Sequence, residues 1–79
     1  MPYNTQIGDE INILTRYNLK TTQEGLKIHS SAESNVIDAA QRLFDKDLIT
    51  QADGGYLTPL GRTAAEHVQD LLLIIKSRQ

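Results

Sequence analysis

The 79-residue chain has no cysteine. That excludes disulfides and thiolate metal sites, and it suits a reducing cytoplasm. It has no basic surplus either. Eight Lys and Arg stand against ten Asp and Glu, a net charge of -2. Most nucleic-acid-binding domains carry the opposite balance, because phosphate neutralisation supplies much of their affinity. Long apolar runs are missing: the longest, Leu71 to Ile75, is far too short to cross a bilayer. The stretch Met1-Pro2-Tyr3-Asn4-Thr5 lacks a basic segment followed by an apolar one, so no signal peptide is expected.

Catalytic patterns are missing as well. There is no Ser-His-Asp spacing, no pair of carboxylates bracketing a pocket and no phosphate-cradling glycine loop. Gly54-Gly55 is a turn signal whose flanks do not fit a P-loop. His29 and His67 lie far apart and have no cysteine to join them, so neither a metal nor another cofactor is expected. The expectation is a protein that works by binding, not an enzyme.

What is present reads as one soluble domain: 39% apolar and 23% charged residues. A chain this short buries only about 60% of its unfolded surface, so its own core is marginal and a second subunit would help. Charge is uneven along it. Residues 1–32 are neutral, residues 33–58 carry -3 and residues 59–79 carry +1.

The spacing predicts a helix over residues 5–17, capped by Asn4 or Thr5. Ile7, Ile11 and Leu14 form its buried stripe, widened by Ile13 and Tyr17, and Asn18 stops it in the left-handed conformation. Residues 21–29 read two ways. As a helix they are capped by Thr21 or Thr22; as a strand, Leu26 and Ile28 alternate with Lys27 and His29. Ser30-Ser31-Ala32-Glu33 fits a capping box for a helix over 31–46, with Val36, Ile37, Ala40, Leu43 and Phe44 inward. Residues 48–58 predict a small hairpin turning at Asp53-Gly54-Gly55. Thr58-Pro59 starts a last helix over 59–76, with Leu60, Ala64, Val68, Leu71, Leu72 and Ile75 on one face. The class is mainly α with a small β-hairpin, α+β, of winged helix-turn-helix type.

The run AAQRLFDKDLITQADGGYLTPLGRTAAEH resembles the recognition-helix, wing and C-terminal-helix signature of winged-helix regulators. Those show a Leu-rich helix, then Lys-Gly-Leu-Ile, then a hairpin ending in Leu-Thr-x-x-Gly. Here Leu43-Phe44-Asp45-Lys46-Asp47-Leu48-Ile49 and Leu57-Thr58-Pro59-Leu60-Gly61 stand in those places, with Asp47 where Gly is usual. From the segment NILTRYNL onward the chain also resembles a family of small uncharacterised gammaproteobacterial proteins, some described as DNA-binding proteins or regulators. The resemblance implies a cytoplasmic DNA-binding transcriptional regulator. The alternative is a winged-helix module that docks a protein and does not bind DNA.

For the DNA reading, the central helix enters the major groove. Ser34 and Asn35 reach base edges, and Arg16, Lys20, Lys27, Arg42 and Lys46 contact phosphates. Glu33, Asp38 and Asp45 on the same helix oppose this by repulsion. His29 is a phosphate contact, a switch or, as the blander reading, a turn residue packing its ring on the domain. Leu71, Leu73, Ile74 and Ile75 make the last helix apolar nearly all round, which points to a homodimer seam.

Overall fold

Six elements follow one another in the computed structural model, which describes residues 4–21 and 23–78. They are α1 (Thr5–Leu14), β1 (Leu26–Lys27), α2 (Ser34–Asp45), β2 (Ile49–Gln51), β3 (Gly54–Leu57) and α3 (Pro59–Ser77). The strands make one antiparallel sheet in the order β1-β3-β2. The class is α+β, three helices with a small sheet. Among the described residues no helix is long and apolar enough to cross a membrane. The readings placed on Met1 to Tyr3 and on Thr22 as a cap lie outside the described residues.

Asn4 starts α1 as expected, its Oδ1 accepting from the Ile7 N–H at 2.9 Å. The helix ends three residues sooner than its spacing predicts. Thr15 Oγ1 donates back to the Asn12 carbonyl at 2.6 Å, and the Arg16 N–H tightens onto the Ile13 carbonyl at 3.0 Å. Asn18 is not the left-handed stop. Its Oδ1 accepts from the Lys20 N–H at 3.0 Å and so shapes the loop beyond. The inward stripe is Glu10, Ile13, Leu14 and Tyr17, with Ile7 and Ile11 only half-buried.

Of the two readings of residues 21–29, the strand is the one observed; the described residues there hold no helix. β1 pairs with β3, Leu26 opposite Gly55 and Lys27 opposite Gly54. Gly54 and Gly55 therefore lie inside the central strand and not in the turn. Both have positive φ, 122° and 71°. A Cβ on Gly54 would lie 2.3 Å from the Leu26 carbonyl oxygen, and one on Gly55 2.5 Å from Thr50 Oγ1. Only glycine lets the three strands close this tightly.

The capping box at Ser30 does not form. Residues 30–32 make a turn closed by the Ala32 N–H on the His29 carbonyl at 3.0 Å, and α2 begins at Ser34, not 31. Its far end is a Schellman motif. The Asp47 N–H bonds the Phe44 carbonyl and the Leu48 N–H bonds the Leu43 carbonyl, each at 3.0 Å, with Asp47 at φ 65°. The inward face of α2 is Ala39, Ala40 and Leu43; Ile37 and Phe44, expected inside, are exposed.

Thr58 caps α3, accepting from the Gly61 N–H at 3.0 Å, and Pro59 follows at the first position. Gly61 lies so close to the chain at Leu48 that a Cβ would fall 1.8 Å from its carbonyl oxygen. The inward face runs through Gly61 and Ala65, so Leu60, Leu71 and Ile75 lie outside, against expectation. Gln69 Nε2 donates to the Leu14 and Tyr17 carbonyls at 3.3 and 2.9 Å, satisfying groups freed where α1 ends.

Two predictions come from this packing. Asp47→Gly relieves the positive φ and raises stability by about 0.5–1 kcal/mol, a rise in the thermal midpoint of about 3–6 °C by calorimetry. The Tyr17 hydroxyl is buried without a partner among the described residues, and burial pushes its pKa up to about 12. Folded-state ionisation thus lags the unfolded state's, so this contribution is complete below pH 10 and is lost between pH 10 and about 12. Tyr17→Phe is neutral or stabilising at pH 7. In urea titrations it also escapes up to about 2–3 kcal/mol of the alkaline loss.

Candidate functional site

α2 offers three kinds of surface, separated by helical spacing. Beside the buried Ala39, the residues Asn35, Arg42 and Lys46 recur at steps of seven and four. Arg42 and Lys46 both reach Glu10 on α1. Arg42 Nε donates to Glu10 Oε2 at 3.3 Å, and Lys46 Nζ donates to Glu10 Oε1. A further bond runs from Arg42 Nη2 to the Gln6 carbonyl at 3.2 Å. Glu10 is only 6% exposed, the one buried charged residue among those described. A carboxylate so placed is stable only when paired, and these two cations are its partners.

On the opposite flank stand Ile37, Gln41 and Phe44, all exposed. Ile37 and Gln41 form one wall of an open groove of about 620 Å³. Ile28, His29 and Ser30, leading from β1 to α2, form another, and the hairpin tip at Ala52 and Asp53 closes the end. The Ile28 N–H holds the tip by donating to the Asp53 carbonyl at 2.7 Å. Lys27 pairs with the Asp53 carboxylate, and its hydrogen bond holds that carboxyl below the ordinary range. His29 is exposed on the groove wall rather than packed on the domain.

The outermost ridge of α2 is Ser34, Asp38, Gln41 and Asp45, at steps of four, three and four. Gln41 Nε2 donates to Asp45 Oδ1 at 3.0 Å. Glu33 stands at the helix start. The face turned to solvent therefore carries carboxylates and two apolar side chains, and its cations lean away toward α1.

The sequence-predicted DNA contacts are thus dispersed. Ser34 and Asn35 are exposed on the first turn of α2. Arg42 and Lys46 come together, but on Glu10; Lys27 is held by Asp53. Arg16 and Lys20 are exposed between α1 and β1 and are in no ion pair among the described residues. Leu71, Leu73, Ile74 and Ile75 are all exposed on α3. Sequence reasoning missed Glu10. Its spacing with Ile13, Leu14 and Tyr17 places it on the inward stripe, and that was the available signal.

The family described as "Family of unknown function (DUF5669)" matches residues 1–76, and the chain belongs to it. No curated protein and no solved structure matches the chain. The buried carboxylate yields a direct test. Glu10→Gln keeps the shape but removes the charge that binds Arg42 and Lys46, so the unfolding free energy in urea falls by about 1–3 kcal/mol.

Proposed function

We propose that this DUF5669 chain is a non-catalytic, cytoplasmic binding module of the winged-helix type. Its working surface is the solvent face of α2 together with the groove toward the hairpin tip. The occupant we favour is a basic, apolar-anchored segment of another protein. The observation that carries this reading is the engagement of Arg42 and Lys46 by Glu10. It leaves Asp38 and Asp45 facing outward with no cation beside them on that ridge, next to exposed Ile37 and Phe44. Such a face repels phosphate and attracts cationic side chains, while the apolar pair supplies anchorage. The order α1-β1-α2-β2-β3-α3, with a hairpin between α2 and α3, supports the winged-helix part of the reading.

A second reading, a DNA-binding transcriptional regulator, is favoured by Ser34 and Asn35 standing exposed at the leading end of α2, where a recognition helix meets base edges. The two readings separate in one titration. With isotope-labelled protein at low salt, a Lys/Leu-rich amphipathic peptide shifts the amide resonances of Ile37, Gln41 and Phe44, while a mixed-sequence DNA duplex leaves them in place. Gel retardation of genomic fragments, lost steeply between 50 and 200 mM salt and abolished by Asn35→Ala, reverses the choice.

A further inference from the structure

We propose that His29 makes the groove selective by its charge state. A neutral imidazole admits the basic segment and an imidazolium repels it, so the partner is held at neutral to alkaline pH and released in mild acid. This rests on the reading of α2 and the groove given above and adds the residue that regulates it. Two backbone contacts fix the stretch that carries the ring. The Ile28 N–H donates to the Asp53 carbonyl at 2.7 Å, and the His29 carbonyl accepts from the Ala32 N–H at 3.0 Å. Ile28 is itself buried, so the exposed ring of His29 is carried at a set point of the lining that Ile37 and Gln41 share.

The charges around the groove decide what protonation does. The hairpin tip contributes Asp53 and β1 contributes Lys27, and these two neutralise each other as an ion pair. The hydrogen bond from Lys27 holds the Asp53 carboxyl below its ordinary range, so the pair persists in mild acid. From α2 the lining takes Ile37 and Gln41, neither of which titrates. Glu33 at the start of α2, and Asp38 and Asp45 on its outer ridge, are exposed and are not part of the lining. His29 is in no ion pair among the described residues. An imidazole is the side chain that gains charge between about pH 8 and pH 5. Over that range the lining passes from neutral to a net positive charge. An imidazolium turned toward one of the α2 carboxylates would cancel part of the attraction that draws the segment in, so the sign is the same in both arrangements. His67, the other histidine, is on α3 and outside the groove lining.

The test is calorimetric titration of the whole chain with the Lys/Leu-rich amphipathic peptide, acetylated and amidated at its ends so that it does not itself titrate. It is run at about pH 8 and about pH 5.5 at one low ionic strength, with circular dichroism to confirm folding at both. Wild type binds on the order of threefold more weakly at the lower pH. In His29→Gln the ratio of the two dissociation constants falls to about one. His29→Lys carries its charge at both pH values, so its ratio is also about one, and at the higher pH it binds on the order of threefold more weakly than wild type. A wild type that binds equally at the two pH values, a His29→Gln variant that keeps the wild-type ratio, or a His29→Lys variant that matches wild type at the higher pH overturns the switch and leaves the groove reading standing. No binding at either pH overturns the groove reading and the switch with it.

Discussion

A buried carboxylate ties the first two helices together. Glu10 sits where the spacing of α1 asks for an apolar side chain, and Arg42 and Lys46 come across from α2 to meet it. Removing an ion from water is costly, and only close opposite charge offsets that cost. The pairing therefore fixes how α2 is rotated about its own axis. Once Arg42 and Lys46 point at α1, Ile37, Gln41 and Phe44 are carried out to the other flank, and Asp38 and Asp45 are left facing solvent. The chemistry of the exposed face follows from an interaction on the hidden one.

The second constraint is close backbone approach. Gly54 admits β1 to one edge of β3, Gly55 admits Thr50 and Gln51 of β2 at the other, and Gly61 lets the first turn of α3 lie against the carbonyl of Leu48. Every other residue carries a Cβ that the neighbouring chain already occupies. These contacts pull the hairpin and α3 onto α2 and set the hairpin tip beside β1. The groove exists because that tip, held by the Ile28 N–H and by Lys27, ends opposite the exposed wall of α2.

Much of the element order was legible in the residues. Asn4 and Thr58-Pro59 marked two helix starts through the physics of orphan N–H groups, and α3 and the hairpin lie close to where they were expected. Other boundaries moved. A hydroxyl bonding backward ended α1 early, and the Ser30 segment closed a turn instead of a capping box. The segment 21–29 stayed ambiguous because a two-residue strand has too few positions for periodicity to show. Its identity comes from pairing with glycines far along the chain.

The faces were less legible than the elements. Apolar spacing weights large side chains, and it placed Ile37, Phe44, Leu60 and Leu71 inside. The folded chain puts Ala39, Ala40, Gly61 and Ala65 there, because elements this short pack by bringing their axes close, and only small residues allow it. The sequence by itself determined the three helices outside residues 21–29, where two of them start, the net acidity and the absence of thiol chemistry, since each depends on composition or on neighbours within a few residues. Which cations stay free, which flank of α2 meets solvent and where a groove opens were decided only in three dimensions. The pairing of Arg42 and Lys46 and the turn of α2 depend on Glu10 meeting residues more than thirty positions away, and the groove on Asp53 meeting Lys27 and Ile28, and no local pattern encodes those encounters.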